Sequence, residues 1–224
     1  MIQKYFFSIL LFIFLLIGEY DAFAASTCAS YFDACGVPEL YQVTMNRLRI
    51  STTGSSDNAI TIVSTPQSFN IASVNAGAVV GSWFSGTTIP PGTYNWMERT
   101  ISGTFVFKGY VNYTDGFTYY TSSLSVVGPN VNRIATTSFD PDNPPADYAK
   151  VSADVCSMGG VTCINGSIVE VETSQSIHID PGKETKIKII FNVNNTLGLN
   201  WDAVNSMWTL SLDAPSVSVQ IAEK

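Results

Sequence analysis

The chain has 224 residues and a formal net charge of −7 at pH 7, and only 13% of its residues are charged. An acidic chain without a basic cluster argues against nucleic acid and against anionic lipid as partners. Uncharged polar residues must therefore form much of the solvated surface, a composition that is frequent in exported β proteins.

The first 24 residues predict a secretory signal peptide. Lys4 precedes an apolar run at 5–17, and residues 22–24 read Ala-Phe-Ala, a small-x-small cleavage site. The run is shorter than the about 20 residues of a membrane-spanning helix. We therefore expect residues 25–224 to form a single domain without a membrane span, which is secreted, periplasmic or held at the cell surface. Lipid attachment at Cys28 is the less favoured alternative.

Four cysteines form two pairs with the same spacing, Cys28 with Cys35 and Cys156 with Cys163. In an exported chain such cysteines indicate disulfides, and four cysteines allow three pairings. Loop-closure entropy favours the two local loops, Cys28–Cys35 and Cys156–Cys163. A zinc site is the less favoured alternative, because zinc sites usually have closer cysteine pairs and histidine ligands.

The predicted strands begin after the first cysteine pair. Residues 39–51 alternate apolar and polar side chains up to Met45 and alternate again, on a shifted phase, from Leu48. This pattern predicts a strand with a bulge near Asn46. Short strands are predicted on both sides of Pro66.

Turn-forming residues divide the middle of the chain. Residues 89–92 read Ile-Pro-Pro-Gly, a stiff turn that leads into a long predicted strand from 93 to about 102. Asp115-Gly116 predicts a hairpin with a two-residue turn. Another strand is predicted at 133–137, before a loop rich in proline and aspartate at 140–147.

The last third shows the clearest alternation, at 167–180, 184–193 and 206–222, where Pro215 separates two strands. No segment shows sustained helical periodicity. About ten short strands separated by turns predict an all-β fold, a single antiparallel β-sandwich with two small disulfide loops.

Three stretches resemble a family of exported bacterial domains of unknown function with a prealbumin-like (transthyretin-like) sandwich. Within 69–102, the sequence Ile-Pro-Pro-Gly-Thr-Tyr is similar to the turn that precedes a core strand in that family. Residues 177–199 and 208–219 are similar to its closing strands. The resemblance implies a prealbumin-like or immunoglobulin-like sandwich and an exported location, and it implies no activity.

Tyrosines around the Asp115-Gly116 hairpin are the best candidates for ligand binding. Tyr113, Tyr119 and Tyr120 could stack on sugar faces if their rings are exposed, and the alternative is packing in the core or across strands. Tyr119 and Tyr120 are adjacent in a strand and therefore point to opposite faces. One of the two is expected to point out of the core.

The loop at 139–148 is the best metal candidate. Asp140, Asp142, Asn143 and Asp147 offer the hard oxygen ligands that calcium prefers, although the spacing is not that of an EF-hand. A proline-stiffened polar loop is the alternative. No other cofactor is expected.

No catalytic residue is assigned, and the chain is predicted not to be an enzyme. His178 is the only histidine, and alternation with its isoleucine neighbours places it on a solvent-facing side of a strand. No G-x-S-x-G motif accompanies it. Scattered carboxylates keep a glycosidase as a minor alternative.

These observations favour an exported cell-surface or extracellular protein with a structural, adhesive or protein-interaction role. The partner is expected to be another protein or a second copy, bound through the weakly charged edge strand at 216–221. The alternative is a module that binds polysaccharide, with or without calcium.

Overall fold

The computed structural model describes residues 28–73, 81–83, 88–125, 133–138, 143–157, 162–174, 176–182, 185–204, 206–213 and 215–223. The predicted signal peptide lies outside these ranges. Within them the chain is all-β, and every strand pair is antiparallel. The described part contains no helix with the length and hydrophobicity that crossing a membrane requires.

The strands of the first half are β1 (Ala34–Gly36), β2 (Pro38–Ser51), β3 (Ile60–Val63), β4 (Gln67–Asn70), β5 (Gly92–Tyr94), β6 (Trp96–Ser102), β7 (Thr104–Asn112) and β8 (Thr118–Ser125). Those of the second half are β9 (Arg133–Ser138), β10 (Val151–Asp154), β11 (Cys163–Ile164), β12 (Ser167–Glu172), β13 (Ile177–Ile179), β14 (Thr185–Asn192), β15 (Leu197–Asp202), β16 (Met207–Leu212) and β17 (Ser216–Glu223). A single 3₁₀ turn is described, at Val155–Ser157.

Strand β2 is the centre of the fold, because it pairs with β6 and β7 along one edge and with β3 and β4 along the other. Its register with β6 shifts between Met45 and Arg47. The predicted bulge near Asn46 is therefore confirmed. The extra residue restores the alternation on the other phase, as the sequence pattern indicates.

The turn at 89–92 launches two strands rather than one. Gly92–Tyr94 pairs with β13, whereas the chain from Trp96 onwards pairs with β2. The prediction of one strand from 93 to 102 was therefore wrong, because Asn95 interrupts it and donates its backbone N–H to the Ser51 carbonyl oxygen at 3.1 Å. The buried Tyr94 hydroxyl donates back to the Pro90 carbonyl oxygen at 2.7 Å and closes the turn.

The main sheet curls round on itself. Its strands follow the order β7, β8, β9, β16, β15, β1, and β1 leads through Val37 into β2, which pairs with β7. The hairpin predicted at Asp115-Gly116 joins β7 to β8, but its turn has three residues, because the Tyr113 N–H donates to the Phe117 carbonyl oxygen at 3.0 Å. Gly116 takes the left-handed conformation that such a turn requires, with φ of 88°.

Both local disulfides form, Cys28–Cys35 and Cys156–Cys163, with Cα atoms 5.7 and 5.6 Å apart. Cys35 lies in β1 and Cys163 in β11, which are the two outermost strands of the main sheet. These strands are only three and two residues long. Short, covalently held end strands protect a sheet against unwanted pairing.

Two apolar clusters fill the interior. The first lies within the curl and includes Phe107, Leu197 and Leu210, and the second lies between the β2–β6 region and the small β5–β13 sheet. A separate two-stranded sheet, β14 with β17, contributes to both, since Phe191 packs on the first cluster and Ile187 on the second.

Candidate functional site

Aromatic rings cluster where the β7–β8 and β15–β16 hairpins meet. The ring centroid of Trp208 lies 4.9 Å from that of Tyr113, 5.3 Å from that of Tyr119 and 5.3 Å from that of Trp201. Trp201 and Trp208 are directly paired across the two strands. We call Tyr113, Tyr119, Trp201 and Trp208 the aromatic end.

Tyr119 is the buried ring of the aromatic end and packs against Trp208. It is buried, and its hydroxyl donates to Asp115 Oδ2 at 2.6 Å. Burial, followed by the hydrogen bond and the charge of Asp115, raises the pKa of the Tyr119 phenol. The carboxylate satisfies a hydroxyl that would otherwise be buried without a partner, so the ring holds a defined position beneath Trp208.

Tyr120 lies on the opposite face of β8, as the strand geometry predicts, but it is also buried. The segment around Tyr148 covers it, with the two ring centroids 5.0 Å apart. The Tyr148 hydroxyl donates a hydrogen bond to Glu39 Oε2 at 2.6 Å. Lys108 Nζ lies over the Tyr148 ring, 3.9 Å from its centroid. The three predicted tyrosines therefore do not share one surface: Tyr113 and Tyr119 belong to the aromatic end, and Tyr120 lies behind it.

Trp201 is the ring of the aromatic end that faces solvent, with 48% of its surface exposed. It continues the alternation of the buried residues Leu197 and Leu199 past the point where the core ends. Its backbone N–H donates to Asp33 Oδ2 at 2.9 Å, which places a carboxylate beside the strand. Sequence reasoning missed Trp201, although its place at the end of an alternating run was the available signal.

Of the four predicted calcium ligands, only Asn143 and Asp147 are described, because Asp140 and Asp142 lie outside the described residues. Asp147 Oδ2 accepts a hydrogen bond of 2.5 Å from the buried Ser122 hydroxyl. No group of three or more His, Cys, Asp or Glu side chains in the described ranges could hold a metal ion. Calcium binding stays a prediction, and the observed role of Asp147 is to fix the loop on β8.

His178 lies on the exposed face of β13, as predicted, with 59% of its side chain in solvent. Its Nδ1 lies 3.0 Å from Thr93 Oγ1 and its Nε2 lies 3.0 Å from Asp180 Oδ1. This line of hydroxyl, imidazole and carboxylate resembles a hydrolase triad with the two ring nitrogens exchanged. The imidazole is open to water on a two-stranded sheet, an environment that does not enclose a substrate.

Carboxylates of the central sheet bind arginines. Glu98 is buried and accepts from Arg47 at 3.0 Å and from Arg49 at 2.9 and 2.7 Å. Glu170 on β12 pairs with the buried Arg99 at 3.2 Å. These two acidic residues tie β2, β6 and β12 together, so the structure assigns them a structural role.

Several strands have an edge that no other strand covers within the described part of the chain, among them β12, β14 and β17. β14 and β17 pair only with each other. β11 covers Ser167 and Ile168 of β12 but not Val169–Glu172. Val171 at this open edge is 54% exposed, and Ile164, opposite Ser167 on β11, is 57% exposed. The open edges supply backbone donors and acceptors for another strand.

No family model, curated protein or solved structure matches this chain. The fold alone defines its class, an all-β protein with a curled antiparallel sheet and two disulfides.

Proposed function

We propose that this chain is an exported, non-enzymatic protein of the cell surface or extracellular space, with a structural, adhesive or protein-interaction role. Two disulfides fit an oxidising compartment. The signal-peptide pattern of residues 1–24 supports the same compartment.

The observation that carries the proposal is the open β14–β17 sheet. The two strands pair over eight residues each, and within the described ranges neither has a second neighbour. The outer edge of β17 reads Ser-Val-Ser-Val-Gln-Ile at 216–221, without a charge to repel an incoming strand. Long, uncharged edges are favourable sites for strand addition by another chain.

We further propose that the fold is a prealbumin-like sandwich, the architecture that the sequence resemblance implies. The support is the position of the β14–β17 sheet, whose Phe191 and Ile187 pack on the two clusters that the main sheet also lines. A small sheet laid face to face on a larger one is a two-layer arrangement.

The test of the proposed function is the assembly state of the oxidised chain from residue 25 to residue 224. Light scattering across a concentration series, with negative-stain microscopy, should reveal a defined oligomer or fibres. A chain that stays monomeric at every concentration would contradict self-association.

A second candidate, polysaccharide binding, is favoured by one observation: the half-exposed Trp201 contacts the partly buried Trp208, which packs on the buried Tyr119. A rigid ring with neighbouring carboxylates is a typical platform for a sugar face. We therefore propose Trp201, rather than the buried Tyr120, as the ring that contacts the sugar. Retention on insoluble polysaccharides, with and without added calcium, tests it.

A further inference from the structure

Strands β12 and β14 carry complementary side chains, although they belong to different sheets. Residues 169–172 of β12 read Val-Glu-Val-Glu, and residues 186–189 of β14 read Lys-Ile-Lys-Ile. An antiparallel alignment places Glu172 opposite Lys186 and Glu170 opposite Lys188, and it places valines opposite isoleucines. Opposite charges and β-branched pairs directly across two strands both stabilise a sheet.

Both strands offer an open edge to such a pairing. Within the described residues, β12 is uncovered from Val169 to Glu172, and β14 has β17 on one side only. In a single copy, Ile187 and Ile189 of β14 pack on the two apolar clusters, which holds the strand in its own layer. Within the described residues, β14 of the same copy therefore does not cover the β12 edge, and a second copy could supply that strand.

We propose that the open edge of β12 in one copy pairs antiparallel with the open edge of β14 in a second copy of this chain. The strand order β17, β14, β12, β6 then runs continuously across the two copies. In this alignment the exposed Val171 lies directly opposite Ile187 of the second copy. This inference rests on the self-association in the proposed function and names the two edges that associate.

The charges along the new ladder alternate. Arg99, Glu170 and Lys188 would form one row across three strands, since Arg99 and Glu170 are already directly paired. Both β14 lysines have a partner within their own chain. An ammonium group has three donors, so an additional carboxylate can be accepted at a surface position.

The contact joins two different surfaces and is therefore heterologous. Each copy keeps one free β12 edge and one free β14 edge after pairing, so addition continues unless the rotation closes a ring. The inference thus predicts chains or rings rather than a two-fold dimer. It also predicts that salt weakens the assembly, because exposed charge pairs are screened.

Two blocked variants of the oxidised chain 25–224 test the interface. The first carries Val171→Lys and Glu172→Lys on β12, and the second carries Lys186→Glu and Lys188→Glu on β14. The controls are Asp57→Lys and Lys150→Glu, each of which reverses one exposed charge elsewhere. Thermal unfolding of each variant shows that it folds.

Sedimentation velocity measures the outcome. Each blocked variant alone should need a protein concentration at least about tenfold higher to assemble than the unmodified chain. An equimolar mixture should assemble at a lower concentration than either variant alone, because the first variant keeps an intact β14 edge and the second keeps an intact β12 edge. The controls should assemble as the unmodified chain does.

Two further outcomes overturn the inference in distinguishable ways. If folded blocked variants assemble as readily as the unmodified chain, the interface lies elsewhere and self-association itself survives. If the unmodified chain never assembles, self-association fails together with this interface.

Discussion

Gly103 lies against the second disulfide so closely that a Cβ atom on Gly103 would overlap Cys156 Sγ. The Gly103 N–H donates to the Gly166 carbonyl oxygen at 2.9 Å, and its own carbonyl oxygen accepts from the Val155 N–H at 2.9 Å. β6 and β7 meet at this residue, where the neighbour on their outer edge changes from β12 to β10. The Cys156–Cys163 disulfide therefore fills the space that a side chain at residue 103 would need. It lies where the edge of the sheet changes from β12 to β10.

The substitution Gly103→Ala should lower the free energy of unfolding by about 2–3 kcal/mol, because the added methyl group has no space between backbone and sulfur. Urea denaturation of the oxidised chain measures the change. Gly116→Ala is the control: its Cβ meets no atom within 4 Å, so it should cost only about 1–2 kcal/mol of left-handed backbone strain. Equal losses at both positions would show that the disulfide contact is unimportant.

The substitution Glu98→Gln should lower the free energy of unfolding by about 1–3 kcal/mol, since two arginines lose the charge of their shared partner. Arg47 and Arg49 retain partial solvent contact, with 42% and 22% of their side chains exposed, which limits the loss. Denaturant titration gives the value, and Asp57→Asn in an exposed loop should change stability by less than about 0.5 kcal/mol. An unchanged stability in Glu98→Gln would contradict the structural role of this cluster.

The fold should lose stability in alkaline solution. Burial raises the pKa of the phenols of Tyr41, Tyr119 and Tyr148, and the neighbouring Asp213, Asp115 and Glu39 add to the effect. An unfolded tyrosine ionises near pH 10, whereas the pKa of each of these three phenols is higher in the folded chain. Their contribution is therefore complete below about pH 10 and is lost as the pH rises further.

Denaturation midpoints measured between about pH 8 and about pH 11 should fall with rising pH. Tyrosinate absorbance should show that at least these three tyrosines ionise only when the chain unfolds. In Tyr41→Phe the decline should be shallower, although this variant also loses the 3.1 Å hydrogen bond to the Asp213 carbonyl oxygen. Smooth titration of every tyrosine before unfolding would refute the prediction.

If the aromatic end binds polysaccharide, Trp201→Ala should weaken retention about tenfold, the size of one aromatic stacking contact. Affinity electrophoresis in gels with embedded polysaccharide measures the effect. Tyr120→Phe is the matched control, because this ring is buried on the opposite face and should leave retention unchanged. Retention that responds to Tyr120→Phe but not to Trp201→Ala would return the site to the other side of β8.

The sequence by itself determined the all-β class, the bulge near Asn46, the position of the Asp115-Gly116 hairpin and both disulfides, although about ten strands were predicted and seventeen are described. These features depend on local alternation, turn chemistry and the closure of short loops, all of which are visible within a few residues. The Asn165-Gly166 turn between β11 and β12, with φ of 51° and 72°, carried a similar local signal that the sequence reasoning did not use.

Only the tertiary structure decided which side chains meet. Tyr148 packs on Tyr120 although it lies 28 residues farther along the chain. Trp208, in the last third of the sequence, contacts Tyr119 of the Asp115-Gly116 hairpin. β14 pairs with β17 within the chain, although the charges of β12 are complementary to those of β14. Alternation predicts which residues of a strand share a face, but long-range packing decides which element covers each face. The physical reason is that burial and strand pairing depend on the whole arrangement of the sheets, whereas alternation depends on the strand alone.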